Sequence, residues 1–415
     1  MEPDDRASIQ HASAAEEHQH GVYNEIKDMI RQFLVIIPIV FLSAFGGAPF
    51  DQIRDQIVYT KLGGNITSSL NATLACQALN GSAKSEQDTA QSHATMFKLY
   101  MSVGSCVAGI ISMPFWMGWS DSIGRQVGLI AAVLGNFIKA TSLLSVVVFP
   151  TAPLWILIVG DTVLGMLGKG NAMVFAAAAS HIADVTPPGK RTLLMLALEF
   201  TFLCSAALGN VGTGYWIKAS GFTPVLLACM SMHATALIYT VLIFERYAKQ
   251  KHDVTSTSCM SSALRYITST WTTFTRRRPN RPYVRRLLLI LESMLFIYYC
   301  GFLGTYSVIN LYTLGYPLCW GSTLIGINNG VLVASSGVFP LLFGLMFFMH
   351  GPTPWLVLIG LLCGMCGCLV MGFSTATWMM LVGVTLFAVR ALVSGTGRSI
   401  VADIVDEHEV GKSSI

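Results

Sequence analysis

The sequence predicts an all-α polytopic membrane protein, and three observations carry that prediction. Of its 415 residues 53% are hydrophobic and only 12% charged, with a mean hydropathy of +0.59. A soluble domain carries about 25% charged residues to cover its surface. The charges are also segregated, since from Ser293 to Val389 there is no Asp, Glu, Lys or Arg. Lipid enforces such a stretch, because an ionised side chain at the bilayer centre costs roughly 2.5–3.5 kcal/mol on insertion scales. Finally, apolar runs recur at the length of about 20 residues that a helix needs to cross the hydrocarbon.

That ruler gives ten spans. The first lies near 31–50 and stops at the charged residues from Asp51. The second, 95–118, has no charged side chain from Leu99 to Trp119, and the third, 126–148, is closed by Phe149-Pro150-Thr151. The fourth, 153–182, runs to the turn Thr186-Pro187-Pro188-Gly189; the fifth and sixth lie near 191–217 and 222–245. After a polar linker come 285–311, 320–348, 354–373 and 376–404, the eighth ending at His350-Gly351-Pro352. Gly and Pro punctuate these turns and interrupt several spans, which membrane helices tolerate when neighbours re-satisfy the backbone. Gly360-x-x-x-Gly364 in the ninth suits close helix packing.

Lys and Arg orient the bundle. Arg246–Arg286 holds ten of them, including Arg276-Arg277-Arg278, and is expected in the cytosol. Counting back six spans places the N-terminus there too. The chain then divides into a cytosolic tail 1–30, a six-helix bundle 31–245 with an outward loop 51–94, a basic linker 246–284 and four helices in 285–415. Met1–Gly21 lacks the apolar core of a cleavable signal peptide, so the first span serves as targeting signal. The outward loop carries three glycosylation sequons, at Asn65, Asn71 and Asn80, which place the protein in a eukaryotic secretory-pathway membrane, plasma or endolysosomal.

Between spans two and three sits Trp119-Ser120-Asp121-Ser122-Ile123-Gly124-Arg125. A small residue permits the tight turn, while carboxylate and guanidinium latch neighbouring helix ends. This resembles the cytosolic hinge of the major facilitator superfamily, with Asp121, Gly124 and Arg125 as its gating motif. Leu311–Trp320, with its Pro317-Leu318-Cys319-Trp320, is similar to the outward loop after helix 7 in solute carrier family 46, the proton-coupled folate transporter family. Ala183-Asp184-Val185, Met195-Leu196-Ala197-Leu198-Glu199 and Arg398…Asp406–Lys412 agree, so the resemblance covers about residues 31–412. It implies the major facilitator fold, here with 6 + 4 helices where the superfamily has twelve. It further implies a Cys76–Cys319 disulfide, Glu199 as proton-coupling residue, and Arg398 as the tenth-helix arginine tied to coupling and substrate affinity. There are departures. Phe302 stands where the folate transporter has a seventh-helix histidine, and the fourth helix carries Asp161 and Lys169 in place of an arginine and then an aspartate. The hinge continues into Gln126, and Met117 replaces a small residue. These point away from folate; other members move cell-wall peptides, cyclic dinucleotides or drug catabolites.

The ionisable residues inside spans are functional candidates without any family. Glu199 lies about two and a half turns into the fifth span. It either loads and releases a proton or pairs structurally with Lys169. Lys139 and Asp161 lie at similar depth and can pair, positioning helices 3 and 4 or touching substrate. Arg390 and Arg398, eight residues apart, can face one cavity and bind an anion. His233 is read as helix packing, and Tyr298, Tyr299, Asn310, Asn328 and Asn329 either line the cavity or pack.

Gly165–Gly170 superficially resembles a phosphate loop but lacks the required strand, spacing and Ser/Thr. Cys363-x-x-Cys366-x-Cys368 has no matching ligands for zinc. No enzyme chemistry, metal, nucleic-acid partner or obligate protein partner is inferred; the proton is the coupling ion. The leading expectation is a proton-coupled symporter of a small organic anion working by alternating access within the lipid bilayer. The alternative is a truncated, transport-inactive isoform or incomplete gene model, motivated by the end at Ile415.

Overall fold

The computed structural model describes residues 29–63, 81–186, 188–244, 283–347 and 354–394, with a few isolated positions beside them. Ten helices among these are long and apolar enough to cross a membrane. The first two are Met29–Lys61 and Ser85–Asp121, the next four Arg125–Val148, Trp155–Val185, Leu194–Ser220 and Phe222–Phe244. The last four are Val284–Leu314, Ser322–Pro340, Trp355–Gly372 and Thr377–Ser394. No strand occurs among the described residues.

One boundary is corrected. The expected outward loop 51–94 does not begin at Asp51: Phe50–Lys61 is helix and completes the first span, and helix resumes at Gly81. The connection between these helices is 62–80. The first span bends at Ala48-Pro49, where a proline interrupts the helical ladder.

The fourth span is broken in its middle. Trp155–Met166 and Asn171–Val185 are separated by a turn in which Gly168, Lys169 and Gly170 all take positive φ. Glycine does so freely, but the non-glycine Lys169, at φ 62°, is held there against a steric cost of roughly 1–2 kcal/mol. Carbonyls freed by the break are met by the second span: Ser112 Oγ donates to Gly165 O at 2.7 Å and Trp116 Nε1 to Met166 O at 2.8 Å. The tenth span repeats the design, with Thr377–Ala388 followed by a turn at Val389–Arg390.

The two halves meet along spans five and eight. A Cβ on Gly326 would lie 2.6 Å from Asn210 O and 2.9 Å from the Cα of Gly214, so the backbones touch there. One apolar core gathers residues from both halves, including Ile57, Met101, Leu143, Ile309, Trp320 and Met380. A second, with Ile36, Leu129, Val133, Met173 and Ile182, belongs to the first half.

Candidate functional site

The helical completion of the first span carries Asp51, Arg54 and Asp55 into the interior. Apolar neighbours alone would exclude them. They are admitted because spans two, three and four bring Lys98, Lys139 and Asp161 to the same place. Arg54 contacts Asp51 at 3.0 Å, Asp55 at 3.1 Å and Asp161 at 3.3 Å. Lys98 Nζ sits 2.5 Å from Asp55 Oδ2, and Lys139 joins Asp51 (3.3 Å) to Asp161 (3.2 Å). Three carboxylates thus face three cations. All but Asp51 are buried, Asp55 to 1% exposure. Each charge has an opposite partner in contact, the condition under which charge is retained in a low-dielectric interior. The expected Lys139–Asp161 pair is present, as one edge of this larger cluster.

All six residues belong to the first half. Among the described residues, what joins them to the second is hydrogen bonding without an ion pair, at the end of the bundle that carries the 62–80 connection. Asn310 Nδ2 donates to Asp55 Oδ2 at 3.3 Å, Ser322 Oγ to Gln56 Oε1 at 2.5 Å, and Gln91 Nε2 to Leu311 O at 3.1 Å. Asn310 therefore bridges the halves, one of the two roles its sequence position allowed. By helical rise the cluster lies roughly 9–14 Å in from the Val148 end of span three and the Trp155 end of span four.

The other candidates are dispersed. Glu199 is exposed, and no ion pair to it occurs among the described residues. Lys169, its expected alternative partner, instead directs Nζ to Cys106 Sγ at 2.9 Å. Arg390 lies at the break of the tenth span, and Arg398 lies outside the described residues. His233 Nδ1 donates to Cys229 O at 2.7 Å and the ring stacks on Phe50, in keeping with helix packing. Cys319 is disulfide-bonded; its expected partner Cys76 and the sequons at Asn65, Asn71 and Asn80 lie outside the described residues.

At the opposite end the hinge is assembled as its residues suggest. Gly124 adopts φ 144°, a region open to glycine. Arg125 pairs with Asp121 and reaches Asp184 Oδ2 at 2.9 Å, tying spans two and three to four.

Reasoning from sequence missed Asp51, Arg54, Asp55 and Lys98. A signal was present: Asp51-x-x-Arg54-Asp55 places opposite charges three residues apart, on one helical face. Hydropathy scores each charge singly, so the charges from Asp51 onward count as the end of the span although the helix continues to Lys61.

Comparison with known proteins agrees with this architecture. Residues 62–414 match the family model described as Major Facilitator Superfamily. The chain is 27% identical over 379 residues to the proton-coupled folate transporter of Rattus norvegicus, covering 90% of this chain and 79% of that one. It is 25% identical over 393 residues to the Homo sapiens lysosomal proton-coupled steroid conjugate and bile acid symporter, covering 92% and 83%. These relatives bear out the resemblance to solute carrier family 46. Among solved structures, the human organic anion transporter MFSD10 aligns with a TM-score of 0.60 at 16% identity, over 93% of this chain and 88% of that one. The partially occluded, inward-open xylose transporter of E. coli aligns with a TM-score of 0.53 at 18% identity, over 91% and 88%. With ten apolar spans, a hinge latched by Asp121 and Arg125, and two halves meeting across hydrogen bonds and apolar packing, the chain belongs to the Major Facilitator Superfamily.

Proposed function

We propose that this protein is a proton-coupled symporter of a small organic anion that works by alternating access. The observation that carries the reading is the distribution of charge around the seam between the halves. Six charges lock spans one to four into one body, while among the described residues hydrogen bonds, and no ion pair, tie that body to spans seven and eight at the 62–80 end. A neutral hydrogen bond contributes about 0.5–1.5 kcal/mol net and one to a charged group such as Asp55 about 1.5–3 kcal/mol, whereas breaking a buried ion pair costs about 3–5 kcal/mol. The cheaper seam is the one that parts when the halves rock, so the bundle moves as a unit. Interruption of the fourth span of each half supports the same reading, because transporters place binding sites where broken helices correspond.

With the basic linker in the cytosol, the 62–80 end is outward, and the conformation is closed to the outside. Glu199 is the proton carrier in this scheme. The three aspartates of the cluster are each held by cations, whereas Glu199 is exposed and has no ion pair among the described residues. An unpaired carboxylate in a span sits in a wetted cavity or takes a proton, and either suits coupling. Arg398 and Lys169 supply positive charge for the anion, and Asp161 fixes the charge cluster of the first half. The disulfide of Cys319 closes on Cys76.

The test uses proteoliposomes and two radiolabelled probes, folate and estrone sulfate. Uptake of at least one is expected to rise under an acid-outside gradient and to collapse with a protonophore. Glu199→Gln is expected to abolish gradient-driven uptake and spare substrate exchange, because exchange needs only the loaded carrier to reorient. Arg398→Ala is expected to weaken both. Uptake indifferent to the gradient refutes the coupling, and uptake of neither probe refutes the substrate class.

A further inference from the structure

Arg390 is buried to 6% exposure, at the break of the tenth span. Its guanidinium lies between two rings, 3.6 Å from the centroid of Phe302 and 3.9 Å from that of Phe387. Nη1 donates to Tyr298 Oη at 3.1 Å, and that hydroxyl in turn donates to the Arg390 carbonyl at 2.9 Å. No carboxylate pairs with Arg390 among the described residues, and its Nε is buried without an acceptor. This contrasts with Arg54, which has three aspartates within 3.3 Å. The guanidinium borders a cavity of ≈ 480 Å³ whose other walls include Gly301, Thr305, Leu361, Met365 and Cys368.

We infer that this cavity is an anion-binding slot for a planar aromatic carboxylate, with Arg390 as its counter-charge and Phe302 and Phe387 as the plates that orient it. Charge sets the first half of that specificity. A buried cation without a counter-ion is unfavourable, and a ligand carboxylate supplies both the missing charge and the missing acceptor. Shape sets the second half. Arg binds carboxylates in the plane of its fork, and two rings inclined at 38° to each other flank the guanidinium here. A ligand body coplanar with its carboxylate continues the stack, whereas a puckered ring meets the plates edge-on. Phe302 also acquires a role: at the position where the folate transporter carries a histidine, the ring here shields and aims the cation.

The slot rests on the reading of this chain as an organic-anion carrier, and its test is separate from transport. Equilibrium binding of radiolabelled 2-naphthoate to the full chain in phosphatidylcholine nanodiscs, with no gradient, is compared with 2-naphthalenemethanol and cyclohexanecarboxylate. Naphthoate is expected to bind best. Arg390→Gln, whose amide still stacks on the rings, is expected to weaken it about ten- to hundredfold. Cys368→Trp fills the cavity with the Arg390 side chain retained and is expected to block binding also, which guards against a misfolded Arg390 variant. Equal binding of the uncharged alcohol, equal binding of the puckered acid, or naphthoate binding unchanged in both variants overturns the slot. A chain that binds naphthoate but shows no gradient-driven uptake refutes only the symport reading; one that transports while both variants bind normally refutes only the slot.

Discussion

Asp55→Asn is the most telling perturbation of the charge cluster. The carboxylate is 1% exposed, with Lys98 at 2.5 Å, Arg54 at 3.1 Å and the Asn310 amide at 3.3 Å. Asparagine keeps the size and still accepts from Asn310, so packing and the bridge between halves survive. What changes is the balance, from three acids against three bases to two against three. Leaving one buried cation uncompensated is expected to destabilise the protein by about 3–5 kcal/mol. The double variant Asp55→Asn/Lys98→Met restores the balance with Asp51 and Asp161 against Arg54 and Lys139. It is therefore expected to recover about 2–3 kcal/mol, near the top of the range for directly coupled neighbours. Thermal melting in nanodiscs, together with steady-state abundance in membranes, measures both steps. The reasoning is refuted if Asp55→Asn melts with the parent, or if the double variant is no more stable than the weaker single one.

Three further outcomes follow from the seam and from the 62–80 end. Ser322→Ala removes the hydrogen bond to Gln56 and is expected to favour opening by about 1 kcal/mol. A cysteine placed at Ile309, buried beside the seam, should then react several-fold faster with an impermeant maleimide from outside. An unchanged rate would mean that the seam is not the gate. Peptide mapping of the unreduced chain is expected to recover Cys319 joined to Cys76, with Cys319→Ser lowering mature protein more than it disturbs topology; a different partner contradicts the assignment. Digestion with an amide-cleaving glycosidase is expected to shift gel mobility through Asn65, Asn71 or Asn80. Absence of any shift in a glycosylating cell would reverse the proposed orientation.

The sequence by itself determined the membrane class, the ten spans and the hinge, because each depends on properties that are summed residue by residue. Twenty apolar side chains span the hydrocarbon whatever surrounds them, and Gly124 turns the chain beside Arg125 through its own backbone freedom. The Lys139–Asp161 pair was legible for a related reason, since two opposite charges at matching depth on consecutive helices have few other partners. Asp51, Arg54 and Asp55 were not legible. Counted one at a time they end a membrane helix; surrounded by Lys98, Lys139 and Asp161 they continue it to Lys61. The same holds for the split in roles between Lys169 at Cys106 and Arg390 between two phenylalanines, which spacing left undivided. Burial of charge is a pairwise energy that depends on which helices are neighbours, so only the tertiary structure decides where it is favourable.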